Sequence, residues 1–572
     1  MLSRLLNCAV LVCALVSSAN AASNPVPFIG APLAPASRAP GGAAFVLKVT
    51  GTGFVLGSSV QWNGSALATS YVSGQILTAK VTASLTATPG AVRISVLSPA
   101  PGDGLSNAVP FEVTPVTPSV FLFGSAPATP DLTGSLVARD FNGDGKPDII
   151  AAVGASIAVL LGNGDGTFVV RSFPTTAQSV GTLVAGDFNG DGKLDLAFSD
   201  SAHNLLHTLL GNGDGTFTEK STTVVGLHPA GTAVGDFNGD GNLDVAVVNQ
   251  GARSVSILLG KGDGTFNRKP TVMVGRHPGN LTVADVNGDG RLDLAVVNNA
   301  DNTLSILLGQ GDGTFKLASS PATGTSPYGV TASDFNGDGK IDLAVTNLCG
   351  DAASCQNPGY ASISILSGAG DGTFTTQSVV LTAFSHPKAI AAADFNGDGK
   401  ADLVVTGLGE SRGLVLIGNG RGGFAQPVTS GPGQTGEYVV LGDFNQDGRL
   451  DFALNNLAAV QGGQYVVVEE QVPVAFYPEV LTFPAQSVGT TSAPKTMRFE
   501  NVGVSTIHIT KTEVGSYFAG TNDCPATLAA GASCNFTITF TPGFVGLTGG
   551  GVLVDDDAAG SQQFGYLVGR GK

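Results

Sequence analysis

An acidic, glycine-rich segment of nine residues recurs seven times along the chain, and this repeat restricts the possible folds more than any other feature. One copy reads DFNGDGKLD at 187–195. The distances from the first aspartate of one copy to that of the next are 47, 49, 49, 49, 60 and 49 residues. A period of this length indicates an array of supersecondary units, each packed against its neighbours.

A second glycine-rich segment alternates with the acidic one. LGNGDGTF occurs at 161–168 and 210–217, and four related copies follow. Apolar runs such as SVSILLG at 254–260 and LDLAVVN at 292–298 lie between the two kinds of segment and have the length and composition of β-strands. Each unit therefore contains four predicted strands, which is typical of one blade of a β-propeller.

The spacing also predicts how the array closes. The phenylalanine that ends each GDGTF-type segment stands 19 or 20 residues before the next acidic segment, and counting back 19 residues from Asp140 reaches Phe121. The last unit, after 464–470, has no GDGTF segment. We therefore expect residues 119–125 to supply the fourth strand of the seventh unit, which would leave no open sheet edge.

The acidic segments have the ligand pattern of a calcium loop. In D-x-N-x-D-G-x-x-D, side-chain oxygens stand at positions 1, 3, 5 and 9, position 7 can add its carbonyl, and glycine at position 6 permits a sharp turn. Oxygen donors alone suit Ca²⁺ better than zinc or copper. Position 12 is apolar in every copy, so the loops are not EF-hands. Ordinary Asn-Gly or Asp-Gly turns would explain the glycines, but not the four carboxylate or amide positions.

We therefore expect about seven Ca²⁺ ions per chain, whereas the GDGTF segments, with one acid each, are expected to be plain turns. The expected metal ligands are positions 1, 3, 5, 7 and 9 of each copy: Asp140, Asn142, Asp144, Lys146, Asp148, Asp187, Asn189, Asp191, Lys193, Asp195, Asp236, Asn238, Asp240, Asn242, Asp244, Asp285, Asn287, Asp289, Arg291, Asp293, Asp334, Asn336, Asp338, Lys340, Asp342, Asp394, Asn396, Asp398, Lys400, Asp402, Asp443, Asn445, Asp447, Arg449 and Asp451.

On these motifs, residues 119–474 resemble the FG-GAP/VCBS repeats, the family of the integrin α-subunit β-propeller. The resemblance implies a seven-bladed β-propeller with calcium in its hairpin loops and with ligands bound on the opposite face. The copy at 443–451 departs slightly, because Gln446 replaces a glycine. The longest loop expected on the opposite face is 347–362, a candidate ligand site or a tolerated insertion.

The segments on either side of the repeats differ from them in sequence pattern. Residues 25–115 resemble an IPT/TIG immunoglobulin-like domain through GTGF, VQWNG and SNAVPFEV, and Trp62 is expected in its core. Residues 476–572 resemble an ASPM/SPD-2/Hydin-type immunoglobulin-like domain through 481–503 and 524–542. The expected fold class is therefore all-β, with a seven-bladed β-propeller flanked by two immunoglobulin-like β-sandwiches.

Residues 1–21 have the pattern of a secretory signal peptide, with one basic residue, a short apolar run and a small-residue end. We expect a secreted protein, extracellular, periplasmic or at the cell surface, without a membrane span. Four cysteines follow the signal and allow three pairings. The local pairs Cys349–Cys355 and Cys524–Cys534 are favoured, with free thiols as the alternative.

The formal net charge of −16 argues against a nucleic-acid partner. The sequence has no catalytic motif such as G-x-S-x-G or H-E-x-x-H, so we expect a protein that is not an enzyme. The first hypothesis is a calcium-binding adhesion or protein-binding module with an extracellular protein ligand. The alternative is a glycan ligand, as a lectin or as an accessory part of a polysaccharide-degrading system. Tyr328 and Tyr360 are the aromatic candidates for that alternative.

Three histidines share one position in the repeat. His228, His277 and His386 each precede a proline eight residues before an acidic segment, and Ser326 takes this place in another unit. A metal or anion site in a central channel is one interpretation of this pattern. Turn residues at the start of the inner strand are the favoured interpretation.

Overall fold

The structure is a computed structural model that describes residues 26–572 with gaps. The gaps are 30–32, 34, 36, 39, 41–42, 88–89, 100–103, 114–120, 126–131, 350–361, 381–385, 408–412, 426–427, 430–435, 448, 457–464, 472–473, 479, 503–505 and 558–562. The predicted signal peptide at 1–21 lies outside the described residues. Within them the chain forms strands and no helix, so the protein is all-β as expected.

Seven antiparallel sheets follow one another through the described part of the repeat region. We number them 1 to 7 in chain order. Their strands are Leu132–Arg139, Asp148–Val153, Ser156–Gly162 and Phe168–Pro174 in sheet 1; Leu183–Gly186, Asp195–Asp200, Leu205–Gly211 and Phe217–Val224 in sheet 2; Pro229–Gly235, Asp244–Asn249, Ser254–Gly260, Phe266–Arg268 and Val272–Met273 in sheet 3; Pro278–Ala284, Asp293–Asn298, Thr303–Gly309 and Phe315–Ser319 in sheet 4; Pro327–Ser333, Asp342–Asn347, Ser362–Gly368 and Phe374–Val380 in sheet 5; Pro387–Ala393, Asp402–Gly407, Leu414–Leu416 and Val428–Thr429 in sheet 6; and Gly436–Gly442, Asp451–Asn456, Tyr465–Gln471 and Phe121–Ser125 in sheet 7.

The inner strands of these sheets form a closed series. The first strand of each sheet contacts the first strand of the next, and the first strand of sheet 7 contacts that of sheet 1. Sheet 7 takes its outermost strand from the beginning of the repeat region, with Phe121 paired to Gln471. The predicted closing strand is therefore confirmed, and the architecture is that of a propeller-like repeat fold.

The second strands of the sheets are buried on both faces, because neighbouring sheets pack against them face to face. All six residues of Asp195–Asp200 are buried, and the same holds for Asp244–Asn249 and Asp293–Asn298. Strands that are buried on both faces give continuous apolar runs in the sequence instead of an alternating pattern. This explains runs such as LDLAVVN.

The N-terminal residues form two sheets that pack around one core. Trp62 is buried against Phe111, with ring centroids 5.2 Å apart, which confirms its predicted core position. The strands are Phe28–Ile29, Phe45–Thr52, Ile76–Val81 and Ala68–Ser73 in one sheet, and Ser37–Arg38, Val109–Val113, Gly90–Leu97, Ser59–Trp62 and Ser65–Ala66 in the other.

The C-terminal residues also form two sheets around one core, which includes Phe499, Phe536 and Phe540. The strands are Val474–Tyr477, Lys495–Asn501, Ser533–Phe540 and Phe518–Asn522 in one sheet, Val480–Thr482, Gln563–Gly571, Gly546–Asp555 and Lys511–Val514 in the other, with Ile507–His508 and Thr527–Leu528 as a separate pair.

The N-terminal unit lies against the face of the repeat region that carries the acidic segments. The Arg93 guanidinium donates a hydrogen bond to the carbonyl of Gly145, with Nη2 to O at 2.8 Å. The Gln75 amide donates to the carbonyl of Asp236 in another acidic segment. Phe28 is buried in an apolar cluster with Phe188 of sheet 2. The N-terminal unit therefore covers part of this face.

The closing strand can be tested by two truncations. We expect a chain that starts at residue 126 to melt at a lower temperature than one that starts at residue 116, and to self-associate. The reason is that loss of Phe121–Ser125 exposes the main-chain hydrogen-bonding groups of the strand Tyr465–Gln471. Both chains lack the N-terminal unit, so the difference isolates the strand. Equal melting temperatures and equal molar masses by light scattering would contradict the closure.

Candidate metal loops and axial cavity

The predicted ligand positions 1, 3, 5 and 7 of each acidic segment lie in the loop between the first and second strands of one sheet, as predicted, and position 9 is the first residue of the second strand. In the loop of sheet 2, a carboxylate oxygen of Asp187 accepts a hydrogen bond from the backbone N–H of Gly192 at 2.8 Å. Asn189 Oδ1 accepts from the N–H of Asp191 at 3.0 Å, and Asp191 Oδ1 accepts from that of Lys193 at 2.9 Å. The side chains at positions 1, 3 and 5 thus turn inward on the loop backbone, and a carboxylate oxygen has a second lone pair for a further partner.

The aspartate at position 9 joins each loop to the body of its sheet. Asp195 is fully buried, and its two oxygens accept hydrogen bonds from the backbone N–H groups of Phe188 and Gly211, both at 2.8 Å. Burial raises the pKa of Asp195 to about 7, and the charges of Asp187 and Asp191 raise it further, although the two N–H donors oppose this. Burial raises the pKa of the equivalent Asp148 and Asp244 too, to about 6 and about 8.

The donor chemistry of the loops fits Ca²⁺. Each loop offers three carboxylates, one amide oxygen and a backbone carbonyl, which are the hard ligands that calcium takes. The Lys193 side chain at position 7 of the second loop is exposed, whereas Lys400 of the sixth pairs with Asp398 at 2.8 Å. The three aspartates of a loop are not gathered within 4.8 Å of one another among the described residues, so an ion would also draw on Asn and carbonyl oxygens. Calcium itself stays a prediction.

The GDGTF segments are turns, but they also link neighbouring sheets. Asp214 Oδ1 accepts hydrogen bonds from the backbone N–H and hydroxyl of Thr216, which lower its pKa. In the next turn along the chain, the Gly264 N–H donates to the carbonyl of Phe188 at 2.9 Å, and Phe266 packs edge-on against the Phe188 ring at 5.6 Å. Sequence analysis missed this link, although the fixed phenylalanine spacing was its signal.

The opposite face contains a cavity of about 390 Å³ at the axis of the ring. Its walls come from several sheets and include Gln250, His277, Asn280, Tyr328 and Tyr438. One of the two predicted aromatic candidates therefore reaches this cavity. The other, at position 360, lies outside the described residues, as does most of the 347–362 loop.

Tyr328 is held at the cavity by several contacts. The Lys388 ammonium lies 4.9 Å from the centre of its ring and forms an ion pair with Glu437. The Tyr328 hydroxyl is hydrogen-bonded to Tyr438, and burial raises the pKa of the Tyr328 hydroxyl. The Asn280 amide donates to the Tyr328 carbonyl at 3.1 Å. The Tyr328 ring on the cavity wall thus has an ion pair next to it, whose two residues do not themselves line the cavity.

The repeated histidines are turn residues, as favoured from the sequence. His228, His277 and His386 have positive φ values of 49°, 48° and 52°, and Ser326 at the same repeat position has 55°. A residue in the left-handed backbone conformation ends one turn at this point, and the inner strand starts directly after it. The shared backbone conformation accounts for the recurring position.

One of the two predicted disulfides is confirmed. Cys524 and Cys534 are joined, with an S–S distance of 2.02 Å. Cys349 is buried and disulfide-bonded, whereas Cys355 lies outside the described residues. Asp523 lies close to the Cys524–Cys534 pair, but sulfurs in a disulfide are not thiolate ligands. The described part of the chain contains no helical segment that could serve as a membrane span.

The model of the FG-GAP-like repeat family matches residues 140–198, 187–247, 236–296, 285–345, 351–405 and 394–454, which together make up more than half of the chain. The chain belongs to the FG-GAP-like repeat family. Five of the six matches begin at the first aspartate of an acidic loop, and all six end in the second strand of a following sheet, so the matched unit runs from one sheet into the next. A comparison with curated proteins finds no match.

Several solved structures are similar to this FG-GAP-like repeat protein at low identity. BBS1N in complex with ARL6DN has 13% identity and a TM-score of 0.44, over 62% of this chain and 97% of that one. An auxiliary nutrient binding protein from Bacteroides ovatus has 13% identity and a TM-score of 0.34, over 67% and 95%. One from Bacteroides thetaiotaomicron has 12% and 0.33, over 67% and 95%. Similarity at this level carries no information about ligands.

Calcium should raise the melting temperature strongly. Extracellular calcium modules bind at roughly 10⁻⁴–10⁻³ M, so about 1 mM Ca²⁺ at a Kd near 0.1 mM adds about 1.4 kcal/mol per site, and on the order of 10 kcal/mol over seven sites. The measurement is thermal unfolding in calcium and in EDTA, with bound calcium counted by metal analysis. Near seven ions per chain is the expected result.

A matched pair of variants separates the loops from the turns. Asp191→Asn in the second acidic loop keeps an oxygen for the Lys193 N–H but removes a carboxylate, so it should lose one calcium ion and lower the melting temperature only in calcium. Asp214→Asn in a GDGTF turn should leave the calcium count unchanged. Identical calcium counts in the two variants would show that the acidic segments are turns alone.

The buried carboxyls predict the pH dependence of the calcium-free protein. The pKa of Asp195 and Asp244 is about 7 and about 8 in the folded state, above the ordinary value, so folding takes up protons. The free energy of unfolding should therefore fall as pH rises from about 4 to about 8 without metal. Bound calcium should flatten this fall, because it stabilises the carboxylates. Urea unfolding in calcium-depleted buffers checks the slope, and a rise with pH would contradict it.

Proposed function

We propose that this chain is a non-catalytic binding protein that acts outside the cytoplasm. Its seven repeat sheets are the blades of a calcium-stabilised β-propeller, and the flanking units are immunoglobulin-like sandwiches. The predicted signal peptide at 1–21 and the disulfide between Cys524 and Cys534 support an oxidising, extracytoplasmic location.

The observation that carries the proposal is a break in the repeat at the axial cavity. The residue six positions before each acidic segment is small in the first four sheets, namely Gly134, Gly181, Ala230 and Gly279. In sheets 5, 6 and 7 the same position holds Tyr328, Lys388 and Glu437. One half of the ring is thereby left open at the cavity, and the other half carries Tyr328 on the cavity wall with the Lys388–Glu437 ion pair next to it.

In this proposal the face with the acidic loops stabilises the protein, and the opposite face binds the ligand. The acidic loops are nearly identical in all seven sheets, so they serve a need that every sheet shares. The cavity lining differs from sheet to sheet, as expected of a surface that distinguishes one ligand from another. A protruding side chain of an extracellular protein can pack on the ring of Tyr328, next to the Lys388–Glu437 ion pair, which favours protein binding or adhesion at a cell surface or in a matrix.

A glycan is the second candidate ligand. Two tyrosines and the amides of Asn280 and Asn299 line a cavity of about 390 Å³, and aromatic and amide groups suit sugar faces and hydroxyls. Binding to a glycan array and to extracellular proteins, both in calcium, distinguishes the two candidates.

Tyr328 should be a binding hot spot for either ligand. We expect Tyr328→Ala to weaken binding at least about 30-fold, since buried tyrosines at binding sites contribute about 2 kcal/mol or more. Surface plasmon resonance against the ligand identified on the arrays is the measurement.

Tyr477→Ala is the matched control, because Tyr477 also has a cation over its ring, Arg498 at 4.7 Å, but belongs to the C-terminal unit. Its affinity should be unchanged. Full binding by Tyr328→Ala with an intact melting curve would place the ligand elsewhere and overturn the axial site.

A further inference from the structure

Sheet 2 carries a cluster of two histidines and two carboxylates on the face opposite the acidic loops. Asp200 ends the second strand, His203 lies in the loop that follows, His207 belongs to the third strand, and Glu219 belongs to the fourth. None of these residues belongs to the acidic or GDGTF segments. In sheet 3 the repeat positions of Asp200 and His207 hold Asn249 and Ser256, whose side chains are hydrogen-bonded at 3.0 Å, so the repeat accounts for the contact but not for the ionisable side chains.

His207 is buried and held in one orientation. Its ring stacks on Phe198 with centroids 5.0 Å apart and planes 4° from parallel. Its Nδ1 lies 3.2 Å from Glu219 Oε1, and the Thr176 hydroxyl donates to the same oxygen at 2.5 Å. Because a carboxylate accepts hydrogen bonds, Nδ1 carries the hydrogen, and the Nε2 atom of a neutral ring then has a free lone pair.

The Nε2 atom of His207 is buried without a hydrogen-bond partner and faces Asp200. The distance from Nε2 to Asp200 Oδ2 is 3.7 Å, and the Asp200 side chain is fully buried. That distance is too long for a hydrogen bond. It fits two ligands of one metal ion, because Zn–N and Zn–O distances are both about 2.0–2.2 Å.

His203 offers the third ligand, a second ring nitrogen. Its Nδ1 lies 2.8 Å from Asp200 Oδ2, and its side chain is about half exposed, at 53%. The ligand atoms of His203, Asp200 and His207 are not gathered within 4.8 Å of one another, so the exposed His203 ring must turn toward the ion. Such a site is open to solvent on the His203 side, where water can complete the coordination.

We propose that Asp200, His203 and His207 bind one divalent transition-metal ion of the zinc class, with Glu219 orienting His207 from outside. Imidazole nitrogens favour zinc-like ions, whereas calcium prefers oxygen alone, so this site is chemically distinct from the acidic loops. The bond from Nδ1 to Glu219 is the carboxylate–histidine arrangement that metal-binding histidines commonly have.

The test is zinc titration of the untagged mature protein in millimolar calcium, by calorimetry and by metal analysis after dialysis. One Zn²⁺ per chain is expected, and Co²⁺ in its place should give visible absorption bands. His203→Ala, at an exposed position, should weaken zinc binding at least tenfold. Glu219→Gln should weaken it about 10–100-fold. His207→Asn keeps a donor near the Nδ1 position but lacks Nε2, so it should abolish binding.

His508→Ala is the matched control. His508 and Asp557 form another histidine–aspartate pair, with Nδ1 to Oδ2 at 2.6 Å, in the C-terminal unit. Zinc binding should be unchanged in this variant. Should His207→Asn fail to fold, His203→Ala and Glu219→Gln decide the question.

Three results would overturn the proposal. The first is that the protein takes up no zinc while NMR shows a proton on His207 Nε2. A proton, and not a metal ion, would then lie between this atom and Asp200. The second is uptake that His203→Ala and Glu219→Gln both leave unchanged. The third is uptake lost in His508→Ala.

Discussion

Each repeat depends on one buried carboxylate that accepts two main-chain hydrogen bonds. Asp195 receives the N–H of Phe188 in its own loop and that of Gly211 at the end of the third strand. The carbonyl of Phe188 then receives the N–H of Gly264 in the next sheet. Loop, sheet and neighbouring sheet are thus connected through consecutive backbone groups. A change in the backbone of one loop would therefore disturb the hydrogen bond that the turn of the following sheet donates to it.

Sheet 7 shows how strongly this connection is required. It has no GDGTF turn, yet the Gln471 side-chain amide donates to the carbonyl of Phe395 in the preceding loop at 2.8 Å. The backbone N–H of Gln471 donates to Asp451, as the glycine N–H does in the other sheets. A single glutamine therefore replaces both contacts of the missing turn. The chain can close its ring at a sheet assembled from two distant segments because these contacts are kept.

Much of this architecture could be predicted from the sequence because it is periodic. The strand count, the position of the acidic loops and the closing strand at Phe121 all follow from regular spacing. The break at Tyr328, Lys388 and Glu437 can also be seen in the aligned repeats, but of these three residues only Tyr328 was a candidate from the sequence. Features without a period could not be found in this way. The contact of Arg93 with Gly145 depends on how two units pack, and the approach of His207 to Asp200 depends on the twist of one sheet.

The closing strand also sets how the ring responds to mechanical force. Phe121 pairs with Gln471, so the chain from the N-terminal unit arrives, and the chain to the C-terminal unit leaves, at the same end of this strand pair. A pull between the two flanking units would load that end first and break the hydrogen bonds one after another. Strands pulled from opposite ends would instead share the load. The ring is therefore built to open by peeling at sheet 7, at a lower force than a strand pair loaded in shear would bear.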